Sequence, residues 1–198
     1  MLWFDHEVLR KRWTNLHQIA PGVFRSNQPT FERLEAIKKR GICDIVNLRG
    51  KSEAAHYLIE KERCQALGLQ MHNISLQARR APEKQHLQKL IRLFQQLDKP
   101  FLMHCKSGSD RAGLASVIYI LTQTGESIAA AKAMLSFRFL HLKLTKTGVL
   151  DYLLREYERA FDLSGMRFEN WLETDYDPDA INKKWASMSL FQRWQALR

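Results

Sequence analysis

Residues 104–113 carry the strongest chemical signal in the chain, with the sequence His-Cys-Lys-Ser-Gly-Ser-Asp-Arg-Ala-Gly. They follow the apolar residues 100–103 and precede the apolar residues 114–121, which predicts a turn between a buried strand and a helix. Five small or polar residues separate Cys105 from Arg111. We expect this turn to form a pocket for a tetrahedral anion, with Cys105 as the nucleophile and Arg111 as the clamp.

The small residues of this turn and its place before a helix both favour an anion. Ser107, Gly108 and Ser109 let the chain wrap tightly, so that successive backbone N–H groups converge on phosphate oxygens. The helix dipole and the neighbouring guanidinium add positive potential and favour the thiolate form of Cys105. Arg111 can hold two phosphate oxygens at once, which a lysine at this position could not do.

The elements that position this turn alternate between strands and helices before it, and only helices are predicted after it. Strands are expected at residues 42–48, 69–76 and 101–103, after a hairpin at 15–26 that turns at Pro21-Gly22. Helices are expected at residues 31–40, 52–67, 83–97, 111–124, 127–137 and 145–161. This order predicts an α/β fold with a central, mostly parallel sheet flanked by helices and a helical C-terminal part. In such sheets ligands bind beyond the carboxyl ends of the strands, which is where Cys105 falls.

Residues 104–113 resemble the signature loop of the cysteine-dependent protein tyrosine phosphatase superfamily, in its small dual-specificity-like branch. The segments Phe-Arg-Ser-Asn-Gln-Pro at 24–29 and Asp-Ile-Val-Asn-Leu-Arg at 44–49 resemble two further parts of that branch. The resemblance covers roughly residues 20–160 and implies a protein tyrosine phosphatase-like fold. It also implies a two-step reaction, in which Cys105 attacks phosphorus, the leaving oxygen is protonated, and water hydrolyses a phosphocysteine intermediate. The resemblance implies no metal and no other cofactor.

The general acid is the first point at which the chain departs from this family. The family usually places an aspartate on a mobile loop, which here would be residues 75–82, and this segment contains no aspartate. Asp110 is the first substitute, because some phosphatases with an Asp-Arg pair in the signature loop resemble this pattern. Glu83 is the second, although a carboxylate at a helix start is favoured for stability alone. The alternative for Asp110 is that it only braces the loop by accepting backbone hydrogen bonds.

A second departure is Ala112, where the family commonly carries a serine or threonine that stabilises the departing thiolate. We therefore expect slower turnover rather than weaker phosphate binding. Ser107 or Ser109 could supply the missing donor, or both could be only small turn residues. His104 either orients the loop and tunes Cys105, as the resemblance implies, or is an ordinary core histidine.

The composition is typical of one globular domain, since 198 residues with 45% hydrophobic content can bury a sizeable core. We expect a catalytic core at about residues 14–162 and an aromatic, basic extension at 163–198. Residues 1–7 interrupt their apolar run with charge, so no secretory signal is expected. The seven histidines show no metal-ligand spacing, so no metal is expected.

The three cysteines, Cys43, Cys64 and Cys105, indicate neither a disulfide framework nor a zinc site. A thiolate nucleophile requires reducing conditions, which favours a cytoplasmic location. Cys43 and Cys64 are expected to be buried. The alternative is that one of them forms a protective disulfide with an oxidised Cys105.

The chain has 31 basic and 21 acidic residues, and its net charge of +10 predicts an anionic partner. Lys106 lies within the loop, and Arg79-Arg80 lie in the segment expected to overhang it, so all three are candidates to bind a second phosphate or an acidic headgroup. Arg79-Arg80 could equally be solvated surface. No nucleic-acid partner is expected.

Both ends of the chain combine aromatic and basic residues. Leu190, Phe191, Trp194 and Leu197 share a predicted helical face, and Leu2, Trp3, Phe4 and Trp13 lie close to the basic residues 10–12. These patterns allow peripheral contact with the inner face of a membrane. The alternative is that both ends pack against the catalytic domain.

Four functions are compatible with these residues. The first is a phosphatase acting on phosphotyrosine or phosphoserine/threonine in proteins. The second is a phosphatase of lipid or sugar phosphates, such as phosphoinositides or glycolipid phosphates, at the membrane surface. A rhodanese-type sulfurtransferase typically has a shorter cysteine loop without this spacing, and a non-catalytic phosphate-binding module would not need both Cys105 and Arg111.

Overall fold

The structure is a computed structural model that describes residues 13–198. Residues 2–4 and 10–12, which were singled out for membrane contact, lie outside the described residues. The chain divides into two compact units that interleave along the sequence. The first comprises the described residues up to Leu76 together with Gln96–Ala112, and the second comprises Gln77–Gln95 together with Gly113–Arg198.

A single sheet of five strands, all in the first unit, is present among residues 13–198. Its strands are β1 (His17–Ala20), β2 (Val23–Asn27), β3 (Asp44–Asn47), β4 (Gln70–Asn73) and β5 (Phe101–Cys105). Their order in the sheet is β1-β2-β5-β3-β4, and the pairing is parallel except between β1 and β2. The predicted α/β class with a mostly parallel sheet is therefore confirmed, as is the hairpin that turns at Pro21-Gly22.

Strand β5 is central, and all five of its residues are buried. Its register aligns Cys105 with Asn27 of β2 and His104 with Asn47 of β3. The strand continues two residues beyond the predicted 101–103. His104 pairs with both neighbouring strands and Cys105 pairs with β2, although hydropathy alone would exclude both residues from the strand. The carboxyl ends of β2, β3 and β5 therefore meet at the edge of the sheet from which the loop leaves.

Helices α1 (Phe31–Lys39) and α2 (Ala55–Ala66) pack on the sheet in the first unit. Their shared core contains Leu34, Ile37, Ile42, Ile45, Cys64, Leu69 and Leu102. Thr30 occupies the N-cap of α1 as predicted, but its side chain makes no capping hydrogen bond. Helix α2 begins three residues later than the predicted start at residue 52.

The second unit is helical in the described part of the chain. Its helices are α3 (Lys84–Gln96, whose last residue falls in the first unit), α4 (Asp110–Tyr119, which begins in the first unit), α5 (Ile128–Lys132), α6 (Val149–Ser164), α7 (Phe168–Thr174), α8 (Pro178–Ser187) and α9 (Leu190–Ala196). The predicted apolar face of α3 is confirmed, because Leu87, Leu90, Ile91 and Phe94 are buried. A π-helical turn, Ile120–Thr124, ends the helix predicted at 111–124.

Two predicted helices are shorter in the structure. The helix expected at 127–137 covers only Ile128–Lys132, since the chain bends and then forms the single turn Phe137–Phe139, which buries Phe139. The helix expected from residue 145 starts at Val149, after a separate turn at Lys146–Gly148. Apolar periodicity continues across such bends, so it does not reveal them.

The C-terminal extension packs within the second unit through α7 and α8. Trp171, Tyr176 and Trp185 are buried, whereas α9 has no buried residue. The Tyr176 hydroxyl donates to the Pro82 carbonyl at 2.5 Å, and burial raises the pKa of this phenol, which keeps it a donor. No helix between residues 13 and 198 combines the length and hydrophobicity needed to cross a bilayer.

Candidate active site

Cys105 and Arg111 lie on either side of a tight loop between β5 and α4. Cys105 is the last residue of β5 and is 1% exposed, and Arg111 is the second residue of α4. The Arg111 Nε atom is buried and has no hydrogen-bond partner among the described residues. A buried donor without an acceptor is costly, which makes this side chain a candidate for contact with an anion.

A second arginine, Arg25 of β2, holds this loop from below. Its side chain is fully buried, and its Nη2 atom donates to the carbonyl oxygens of Gly108 at 2.7 Å and Ser109 at 2.9 Å. Burial lowers the pKa of Arg25 to about 10, and attraction to Cys105 and Asp110 opposes this shift. At neutral pH the guanidinium therefore keeps its charge and adds positive potential beneath the loop.

The two preceding carbonyls of the loop are also held by donors of the first unit. The Gln28 N–H donates to the Lys106 oxygen at 3.4 Å, and the Asn15 amide donates to the Ser107 oxygen at 3.2 Å. In a trans peptide the C=O and the following N–H point in opposite directions. Four carbonyls directed at these donors therefore turn the N–H groups of residues 107–110 the other way, as a cradle for phosphate oxygens requires.

Gly108 lets this loop lie directly on the end of β2. Its φ is +74°, which favours glycine, and a Cβ there would lie 2.7 Å from the Asn27 nitrogen and 2.7 Å from the Ser26 carbonyl carbon. These neighbours are backbone atoms of a strand and cannot move aside. Glycine is thus required both by conformation and by space.

His104 lies against a buried carboxylate on the side of the loop that faces α2. Its Nε2 atom is 2.9 Å from Glu60 Oε1, and its Nδ1 atom is 3.5 Å from the Cys105 oxygen. The other Glu60 oxygen accepts from Gln28 Nε2 at 2.8 Å, and Gln28 in turn accepts from Arg49. Because His104 and Glu60 are both buried, this chain of polar contacts places a charged carboxylate beside the imidazole that precedes Cys105.

Asp110 is the first residue of α4 and is partly buried. The Ser109 hydroxyl lies at donor distance from its Oδ1 atom, 3.4 Å away, and the Ser109 N–H donates to the Ser107 hydroxyl at 3.4 Å. Glu83 is an exposed residue of the second unit, directly before α3. Asp110 is therefore part of the loop structure itself, and Glu83 is part of a helix start.

The remaining basic candidates fall in different places. Lys106 is a partly buried residue of the loop. Arg79 and Arg80 are exposed residues of the second unit, where they line a cavity together with residues of α8 and α9.

The cysteines differ from the prediction in one respect. Cys64 is buried in the core of the first unit, and burial, reinforced by Glu60, raises the pKa of its thiol to about 12. Cys43 is exposed, so the prediction that it is buried is wrong, because it directly precedes β3 at the surface. All three cysteines are free. Within residues 13–198, no group of His, Cys, Asp and Glu side chains is arranged to hold a metal ion.

Three residues that support the loop were not predicted from the sequence: Arg25, Glu60 and Asn15. Arg25 lies in a segment that resembles the phosphatase family, but its role depends on a carbonyl contact 83 positions away. In the sequence, Glu60 cannot be distinguished from the other charged residues of its helix. In the sequence, a charged residue directly after the apolar Val23 and Phe24, within the predicted hairpin, is the one signal that could have identified Arg25.

A cysteine and an arginine on either side of a loop that leaves a central parallel strand are typical of the cysteine-dependent phosphatases. Residues 11–143 match the family model described as "DSP-PTPase phosphatase fused to NAD+ Kinase". The chain belongs to this family of small, dual-specificity-like phosphatases. No curated protein matches the chain.

Solved structures show the same fold. A DUF442 protein of Shewanella putrefaciens CN-32 has a TM-score of 0.62 at 19% identity, over 77% of this chain and 95% of that one. TpbA of P. aeruginosa has a TM-score of 0.55 at 18% identity, over 88% and 92% of the two chains. Human DUSP28 has a TM-score of 0.53 at 19% identity, over 75% and 95%. The predicted protein tyrosine phosphatase-like fold is thereby confirmed.

Replacing Gly108 with alanine should damage the loop more than an equivalent change elsewhere. We expect Gly108→Ala to lower hydrolysis of p-nitrophenyl phosphate by about tenfold or more, because a small displacement of the loop misplaces the reacting groups. The matched control is Gly125→Ala, since Gly125 has a φ of +72° but no atom within 4 Å of its added Cβ. The control should lose about 1 kcal/mol of stability in urea unfolding and keep its activity. Equal activity losses would show that contact with β2 is unimportant.

Proposed function

We propose that this chain hydrolyses phosphomonoesters through a phosphocysteine intermediate on Cys105, and that its substrates are proteins phosphorylated on tyrosine or on serine and threonine. The observation that carries this proposal is the orientation of the loop, whose carbonyls are held away from the pocket by Arg25, Gln28 and Asn15. Membership of the phosphatase family supports it. TpbA of P. aeruginosa, which has a similar fold, has been solved with pTyr.

In the proposed first step the Cys105 sulfur attacks phosphorus and the bond to the leaving oxygen breaks. The Arg111 guanidinium and the backbone N–H groups of Ser107, Gly108 and Ser109 stabilise the charge on the equatorial oxygens. His104, held by Glu60, keeps the nucleophile in position. In the second step water attacks the phosphocysteine and releases phosphate.

Asp110 is the proposed general acid, because it is the carboxyl group built into the loop. The alternative acid is Glu83, and the alternative role for Asp110 is to brace the loop. Ala112 is fully buried and has no hydroxyl, so Ser109, which bonds to Asp110, is the nearest candidate to assist the second step.

Lys106 is proposed to contact the substrate together with the backbone of the loop. As a compact point charge it suits a phosphate or an acidic side chain beside the reacting group. We propose that the enzyme is cytoplasmic, because the reducing conditions there keep the Cys105 thiol free to react.

Substitution of the nucleophile tests the reaction. Cys105→Ser should lower hydrolysis of p-nitrophenyl phosphate by at least about a thousandfold, while calorimetry still detects binding of inorganic phosphate. The matched control is Cys43→Ser, which changes an exposed cysteine of the same unit and should keep full activity. Full activity of the Cys105→Ser protein would contradict the mechanism.

Parallel assays of the native protein with phosphopeptides, phosphoinositides, glycolipid phosphates and nucleotides then identify the substrate class.

Substitution of Asp110 separates acid catalysis from bracing. We expect Asp110→Asn to reduce hydrolysis of an alkyl phosphate by about a hundredfold or more and that of p-nitrophenyl phosphate by less than about tenfold. The reason is that nitrophenolate leaves without protonation, whereas an alkoxide does not. Glu83→Gln should leave both rates unchanged. Equal losses on both substrates in Asp110→Asn would assign it the bracing role, and a selective loss in Glu83→Gln would make Glu83 the acid.

The second candidate function is hydrolysis of lipid or sugar phosphates at a membrane surface. Helix α9 favours this function, because its Leu190 is 67% exposed and its Phe191 is 64% exposed. In the same helix, the ring centroid of Trp194 lies 3.5 Å from the guanidinium of Arg198. A short helix with exposed aromatic and basic residues suits the interface of an anionic bilayer.

Vesicle flotation tests this surface in the full-length protein. The double change Leu190→Ser and Phe191→Ser should reduce recovery with anionic vesicles by about threefold or more, because two apolar anchors are removed. Leu163→Ser is the matched control, since Leu163 is 89% exposed at the end of α6. Equal flotation of both variants and the native protein would exclude α9 as a membrane anchor.

A further inference from the structure

The second unit contains a cavity of about 690 Å³ whose wall is strongly basic. Its cationic side chains come from four separate parts of the chain: Arg79 with Arg80, Lys146, Lys183 of α8 and Arg193 of α9. Asp179 is the one acidic residue of the wall. Apart from Arg79 and Arg80, all these residues lie beyond residue 143, where the match to the family model ends.

Four of these cations are not neutralised within the described part of the chain. Arg79, Arg80, Lys146 and Lys183 form no ion pair with any of residues 13–198. Like charges gathered around one cavity repel each other, and an anion in the cavity would relieve that repulsion. The composition of the wall therefore selects a negatively charged ligand.

The fifth cation is held in a defined position. The Arg193 guanidinium lies 4.8 Å from the centroid of the Trp185 ring, and its Nη2 atom donates to the Trp185 carbonyl at 3.2 Å. Its Nε atom is buried and has no hydrogen-bond partner within residues 13–198. The indole Nε1 of Trp185, a residue that is 4% exposed, is likewise buried without an acceptor in that part of the chain. These contacts with Trp185 hold Arg193 in place at the wall of the cavity.

The walls of the cavity are fixed before any ligand binds. The Asn182 side chain accepts from the Ala81 N–H at 2.8 Å and donates to the Ala81 carbonyl at 3.4 Å, which ties the segment with Arg79 and Arg80 to α8. A Cβ on Gly148 would lie 2.8 Å from Trp185 Cζ2, so glycine lets the turn that carries Lys146 approach the indole. A site built in advance loses little entropy when it binds.

The volume of the cavity and the contacts of Trp185 further restrict the class of ligand. Its volume is typical of small-molecule sites and larger than a single phosphate needs. The ring of Tyr152 stacks on that of Trp185 with 5.8 Å between their centroids, and the Arg193 guanidinium also lies over the Trp185 ring, so the indole already has two stacking partners. An aromatic base is therefore disfavoured, and several phosphate groups on a compact polar skeleton are favoured.

We propose that this cavity binds a small anion carrying two or more phosphate groups, such as a phosphorylated polyol, either free or as the headgroup of a lipid. The site belongs to the second unit alone and does not use Cys105. It is an additional binding function of the C-terminal extension, and it does not rest on the proposed hydrolysis.

The test uses the full-length protein with Arg111→Ala, which weakens anion binding at the signature loop. Inositol hexakisphosphate is titrated by calorimetry, and the same proteins are floated with vesicles that contain a phosphoinositide. Adding Lys146→Gln and Lys183→Gln should raise the Kd for inositol hexakisphosphate about tenfold or more, because two charge-assisted contacts are lost. Lys89→Gln is the matched control, since Lys89 is exposed on α3 and does not line the cavity.

A soluble ligand and a lipid headgroup would give different results in this test. Loss of binding to inositol hexakisphosphate supports a soluble ligand, and loss of vesicle binding alone supports a lipid headgroup. In NMR spectra, the indole N–H resonance of Trp185 is identified as the one that the Trp185→Phe variant lacks. This resonance should shift when inositol hexakisphosphate is added. Unchanged affinity for both probes in the lysine variant, or an unmoved Trp185 resonance, would overturn the proposal. In the native background the two lysine changes should leave hydrolysis of p-nitrophenyl phosphate intact, which also shows that the variant is folded.

Discussion

The contact on which the phosphate-binding loop depends is that between the buried guanidinium of Arg25 and the carbonyls of Gly108 and Ser109. A fully buried charge is costly unless its donors find acceptors, and here two loop carbonyls accept from the Nη2 atom. The same contact sets the direction of the peptide groups, so their N–H donors turn toward the pocket. One interaction thus compensates for a buried arginine, shapes the loop and adds positive charge near Cys105.

The sheet brings these partners together. The parallel pairing of β2 with β5 places Asn27 beside Cys105, and the pairing of β3 with β5 places Asn47 beside His104. Because parallel strands end at one edge, the residues that support the loop can come from distant parts of the chain. The buried pair of His104 and Glu60 adds a polar support from α2, and such pairs hold a side chain in one orientation.

The C-terminal extension gives this chain a feature that its fold alone does not predict. In the family that the signature loop resembles, the segment at 75–82 would carry a mobile acid. Here it lacks an aspartate, and Tyr176 and Asn182 bind the backbone of Pro82 and Ala81. A segment tied down in this way is suited to forming a fixed wall. The absence of an aspartate from this segment is the reason for proposing Asp110 as the general acid.

The order of strands and helices, the hairpin at Pro21-Gly22, the apolar face of α3 and the position of Cys105 and Arg111 on either side of a strand-to-helix loop could all be predicted from the sequence. These features depend on neighbours a few residues apart, which periodicity and spacing record directly. Only the tertiary structure shows Arg25 beneath the loop, Glu60 against His104, and the basic wall formed by Arg79 with Lys183. Each of these contacts joins residues far apart in the chain, and their charged types are equally typical of solvated surface. The sequence by itself therefore determined the reactive group and its loop, and the packing of distant segments decided what supports that loop and where the remaining positive charge is gathered.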